Sequence, residues 1–185
     1  METFSKAREF VDHPGYMHDR SNVLSGLRLR EVDAPIRDIV EEFGKLPECF
    51  TLQCCYGHFV WEGQADDHNL DLLPLLDTGL VRYRIAYLAL CIEKGERGAF
   101  LREQLAALCE IDADYIQFGS PLWFWNQFPN SYALQVEPNK FVFQDEAMLE
   151  HAEALHVQAV RDLVYKRVRE LLFDINQVIF KGSSI

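Results

Sequence analysis

The densest run of reactive side chains is Cys54-Cys55-Tyr56-Gly57-His58, with Cys49 just upstream. A thiol and an imidazole at the end of a strand can act as nucleophile and base, and a glycine between them admits a close backbone approach by a ligand. Adjacent residues on a strand point to opposite faces, so one of Cys54 and Cys55 packs and the other is available. The alternation of Phe50, Leu52 and Cys54 leaves Cys55 as the exposed thiol. The competing reading is that Cys55 and His58 only pack, as inert cysteines commonly do. A zinc set drawn from Cys49, Cys54, Cys55, His58 and His68 lacks a CxxC pair, and opposite-facing neighbours do not easily join one tetrahedron, so no metal is expected. Cys91 and Cys109 read as core residues.

A second cluster follows Gly119-Ser120-Pro121, where Leu122-Trp123-Phe124-Trp125 runs into Asn126 and Gln127. In an extended segment Trp123 and Trp125 share one side, and two indoles there can stack a purine or another planar ligand; the alternatives are core packing and a subunit contact. Arg82 and Arg84 share a strand face, suited to clamping a carboxylate or phosphate, or to answering nearby acids. His151 and His156 are five residues apart, a poor fit to a helical metal pair. Asp66, Asp67 and His68 suggest either a divalent cation or a solvated loop.

The elements that must position these groups are legible from periodicity. Asp33 reads as a helix cap, with Pro35 in the first turn and Ile36, Ile39, Val40 and Phe43 at helical spacing up to Gly44. A strand follows over 50–55, with Phe59-Val60-Trp61 extending or pairing with it, and then a polar loop over 62–71. Residues 81–92 read as one central strand. Phe100, Leu101, Leu105 and Leu108 mark a helix, 115–118 a short strand, and Tyr132, Leu134 and Val136 another. Steps of three and four from Met148 to Ile175 predict a long helix over 145–180, of about 45 Å, more than a small sheet covers. That surplus suggests a kink or a homodimer contact. The N-terminal arm, 1–31, carries two apolar groups, Phe4/Phe10/Val11 and Val23/Leu24/Leu27/Leu29. The order of elements predicts one α+β domain over 1–185, with a mixed or antiparallel sheet of about 4–6 strands. No Gly-rich turn follows a strand, so a Rossmann or P-loop domain has no support.

The 185 residues are 49% hydrophobic and 25% charged, which suffices for a core without disulfide staples. Five cysteines, an odd number, suit reduced thiols, and neither a secretory signal nor a membrane span is expected, so the cytoplasm is the expected compartment. With 18 basic against 29 acidic residues the net charge is -11, which disfavours partners held through phosphates.

Val32-Asp33-Ala34-Pro35-Ile36, the helix it opens and the strand ending Cys54-Cys55-Tyr56-Gly57-His58 resemble the opening of the tRNA wybutosine-synthesis protein 3 family. There a similar helix leads into a strand that ends in a Ser-Cys-x-Gly-Arg motif. Cys55 and Gly57 match it, while Cys54 replaces the serine and His58 the arginine. The motif similarity covers about residues 18–60, and the strand-helix-strand succession after residue 80 looks like the family's layout. The resemblance implies a divergent S-adenosylmethionine-dependent methyltransferase acting on a hypermodified guanosine in tRNA. Cys55 and His58 would be the catalytic positions, with Gly57, Ser120, Trp123 and Trp125 contacting the cofactor. The alternative expectation is a non-catalytic interaction protein that dimerises through its C-terminal helix.

Overall fold

A computed structural model describes residues 5–64, 66–142 and 144–182, so Phe4 of the first apolar group lies outside it. Its elements run α1 (Tyr16–Gly26), α2 (Arg37–Lys45), β1 (Cys49–Cys55), β2 (His58–Val60), β3 (Leu80–Arg84), β4 (Ala86–Ile92), α3 (Glu96–Ala107), β5 (Ile116–Gly119), α4 (Leu122–Gln127), β6 (Ser131–Val136), β7 (Glu146–Glu150) and α5 (His151–Gly182). The strands form two antiparallel sheets, β1-β4-β6-β5 and β2-β3-β7, which makes the fold α+β. Among the described residues no helix is long and apolar enough to cross a membrane.

One core joins both sheets to α2, α3 and α5. In α2, Ile39, Val40 and Phe43 are fully buried, the face that their spacing dictates. α5 has 32 residues and is about 48 Å long. Its buried stripe, Ala154, Val157, Val160, Val164, Val168 and Leu172, packs in the same core as α2 and both sheets. On the opposite side of the four-stranded sheet, α1 presses Tyr16 onto Phe50 and Cys91, with Leu52 and Phe128 at the edges.

Four local readings are corrected. The long helix begins at His151 rather than 145, because Ala147 and Leu149 are buried on either side of exposed Met148 and pair with β3 as a strand. The expected strand over 81–92 is two strands in different sheets. Between them the Ile85 N–H leaves the ladder for the Asp145 carbonyl (3.2 Å). The Tyr83 hydroxyl spans the break, accepting from the Ala86 N–H (2.9 Å) and donating to the Val136 carbonyl (2.8 Å). In β1 the register slips between Thr51 and Gln53, with Leu52 as the extra residue. A bulge of one residue exchanges the two faces beyond it, so Cys55 is buried and Cys54 half-buried, the reverse of the simple alternation. The aromatic run is helical, not extended: Trp123 and Trp125 lie in α4, where residues two apart do not share a face.

Candidate functional site

The site forms where the chain crosses from one sheet to the other. Gly57 makes the crossing with φ of 91°, and a Cβ there would lie 2.8 Å from that of Ala86, so only glycine fits. The crossing brings Cys55, at the end of β1, and His58, at the start of β2, to Asp33, in the approach to α2. The ligating atoms of these three side chains all lie within 4.8 Å of one another.

Asp33 does not cap α2, since a turn of 3-10 helix over Ala34–Ile36 separates them. Its Oδ2 instead accepts the Tyr56 N–H (2.8 Å) and lies 3.3 Å from His58 Nε2. His58 Nδ1–H donates to the Asn69 carbonyl (3.1 Å), and Cys55 Sγ accepts the Gly57 N–H (3.4 Å). Hydrogen bonding to Asp33, and then to Cys55, raises the His58 pKa to about 10 against the opposing effect of burial. A pKa raised in this way favours the protonated ring, a hydrogen-bond donor, at neutral pH. Burial works to raise the Asp33 pKa, but the bonds from His58 and Tyr56 outweigh it and hold the carboxyl below its ordinary value. Burial, then the charges of Asp33 and Cys55, push the Cys54 thiol up to about 12, which leaves it a poor nucleophile.

α5 grips this turn from below. Tyr165 donates to the Cys55 carbonyl (2.6 Å), Arg161 Nη1 to the Gly57 carbonyl (2.9 Å), and the Tyr56 hydroxyl to Asp162 Oδ1 (2.9 Å). Arg161 is only 1% exposed; its guanidinium lies 3.9 Å from the Tyr56 ring centroid, and its Nε donates to Asp162 (2.9 Å). Asp33, Asn69, Arg161 and Tyr165 also build the site, and no motif in the sequence assigns them to it. A readable signal existed for Arg161, a charge set within the apolar stripe of a helix.

Two cavities lie near the cluster. One, of about 370 Å³, is bounded by Gln53, Arg84, Tyr87, Trp123, Gln135 and Asp145. In the ladders Cys55 stands opposite Tyr87 and His58 opposite Arg84, so the cluster and this cavity are strand neighbours. The other, of about 310 Å³, is lined by Asp33 and Cys54 and shares Gln53. Trp123 thus faces a cavity, whereas Trp125 packs against Tyr132 and under the Arg8 guanidinium. Ser120 is buried and ties down the N-terminal segment: its Oγ accepts the Arg8 N–H (3.1 Å) and its carbonyl the Ser5 hydroxyl (2.8 Å). Arg82 answers Asp67 and Glu146, which leaves Arg84 as the arginine of that pair at the cavity. His156 bonds Asp112 and His151 bonds Thr78, on separate sides of α5.

Fold and site together define an α+β protein in which Asp33, Cys55 and His58 converge near two cavities, one of them lined by Asp33. The chain matches no protein-family model and no curated protein.

Proposed function

We propose that the protein binds a nucleotide-like zwitterion of the S-adenosylmethionine type beside Cys55, Gly57 and His58, as a divergent relative of the wybutosine-synthesis methyltransferases. The observation that carries this reading is the makeup of the 370 Å³ cavity. Trp123, 65% exposed, offers an indole to the face of a purine, and the Gln53 and Gln135 amides suit its edge. Arg84 and Asp145, neither with an ion pair among the described residues, match the carboxylate and ammonium of an amino-acid tail. When bound, S-adenosylmethionine supplies a methyl group on a sulfonium. The chain's net charge of -11 favours a small ligand over an extended RNA footprint, and five free thiols fit the reducing cytoplasm.

Calorimetric titration with S-adenosylmethionine should give micromolar binding. Trp123→Ala should weaken it by about 1–3 kcal/mol, roughly 5- to 150-fold, the range for losing an aromatic stacking partner. Its exposure means the fold should not suffer. Absence of heat at millimolar ligand refutes the reading.

A second reading, a homodimer through the C-terminal helix, is favoured by a different patch. Phe100 is 52% exposed and, with Leu171 and Ile175, lines an apolar cavity of about 400 Å³ between α3 and α5. Light scattering at micromolar concentration should then give twice the chain mass, and Phe100→Glu should return it to the monomer. A monomeric native protein removes this reading.

A further inference from the structure

The geometry points to a zinc-type metal site formed by Asp33, Cys55 and His58. This inference stands independently of any ligand in the cavity beside Trp123.

The three donors come from separate segments that the fold converges: the approach to α2, the end of β1 and the start of β2. Their ligating atoms lie within 4.8 Å of one another, close enough for one ion to be reached by small side-chain adjustments. A sulfur, an imidazole nitrogen and a carboxylate oxygen form a mixed set that suits zinc or cobalt and is too soft for magnesium or calcium.

The surroundings are those of a supported metal site. The Nδ1–H of His58 is committed to the Asn69 carbonyl at 3.1 Å, which directs Nε2 toward Asp33 as a ligating nitrogen would be directed. Asn69 is itself held: its side-chain amide donates to the Phe59 carbonyl (3.3 Å), and its Oδ1 accepts the Asp71 N–H (2.9 Å). The Tyr56 N–H orients Asp33, and the Gly57 N–H orients the sulfur. Every donor thus has a partner in the next layer, and two of those partners are main-chain groups of the turn that Arg161 and Asp162 grip.

Exposure sets the coordination. Cys55 is 6% and His58 2% exposed, whereas the Asp33 side chain retains 24%. Ions enter at Asp33, from the cavity it lines with Cys54. His68 stacks edge-on against His58 with ring centroids 5.6 Å apart, but its nitrogens fall outside the cluster. Three protein ligands and a water in the fourth position is the pattern of a zinc site that can receive a substrate. Binding displaces the proton between Nε2 and Asp33 and the thiol proton of Cys55, both released to solvent.

The test is a cobalt titration of reduced, chelator-stripped protein. One equivalent should produce a thiolate-to-cobalt charge-transfer band in the near ultraviolet, with tetrahedral visible bands that zinc bleaches stoichiometrically. Cys55→Ser should abolish the charge-transfer band, and Asp33→Asn, at a part-exposed position, should weaken binding at least about tenfold while circular dichroism stays native. Cys54→Ser should retain both band and stoichiometry. The proposal is overturned if the native protein gives no thiolate band. It is equally overturned if the band survives Cys55→Ser and disappears in Cys54→Ser, or if folded Asp33→Asn binds cobalt as tightly as the native chain.

Discussion

Arg161→Ala is expected to destabilise the protein by about 3–5 kcal/mol, the range for emptying a large core side chain, and so to lower Tm by on the order of 10 °C. Arg161 is the largest fully buried side chain among the described residues. Its removal opens a void under Tyr56 and Phe59 and deprives the Gly57 carbonyl of its donor. An orphaned buried carbonyl costs about 1–3 kcal/mol, and a desolvated cation over an aromatic face about 2 more. A second variant separates packing from polarity. Arg161→Met refills much of the volume and relieves the cost of holding a guanidinium away from water, while Asp162, with 42% of its side chain exposed, turns to solvent. It should therefore lose only about 1–3 kcal/mol, the cost of the orphaned carbonyl. Urea unfolding of both variants measures the difference. Equal losses would show that the guanidinium acts through charge alone, and no loss in either would remove Arg161 as the anchor of the Cys55–Gly57 turn.

The same residues show why the sequence discloses some of this site and conceals the rest. α2, α3 and most of α5 follow from apolar steps of three and four, which persist long enough to be unambiguous. Strands fail where a slip of one residue occurs, because a period of two has no memory of phase. Leu52 bulges out of β1, and the expected exposure of Cys55 passes to Cys54. At Ile85 and Ala86 both neighbours are buried, and both faces of β4 are covered from there on, so an alternation drawn through 81–92 meets no contradiction although the chain changes sheets. α4 has six residues, too few for a helical repeat to declare itself, and its Trp123 and Trp125 consequently part company. Cys55, Gly57 and His58 could be found because they are adjacent. Asp33 is 22 to 25 positions away from them and looks like a cap, and only the intervening 3-10 turn shows that its carboxylate serves the cluster.

Glu137 carries a large expected pH effect. It is fully buried just past the end of β6; its Oε2 meets the Gln135 amide at 3.2 Å, and its Oε1 has no partner. Desolvation, and then the charge of Asp145, raise its pKa to about 8. In the unfolded chain a glutamate releases its proton near pH 4.3–4.5, so between about pH 4.5 and 8 the native state binds the proton that the unfolded state has lost. The stabilisation linked to that proton is complete below about pH 4.5, declines as pH rises, and is gone above the native pKa of about 8. At about 1.4 kcal/mol per pKa unit the loss amounts to a few kcal/mol. Glu137→Gln keeps the shape and an acceptor for Gln135 without ever charging. Unfolding by urea from pH 5 to 9 should therefore find the variant close to the native protein at pH 5 and more stable by a few kcal/mol at pH 8.5. Asp145→Asn should move the native midpoint toward lower pH by removing the repelling charge. Parallel stability curves for the native protein and Glu137→Gln across that range would mean that the buried carboxyl is already ionised at neutral pH and has a counter-cation.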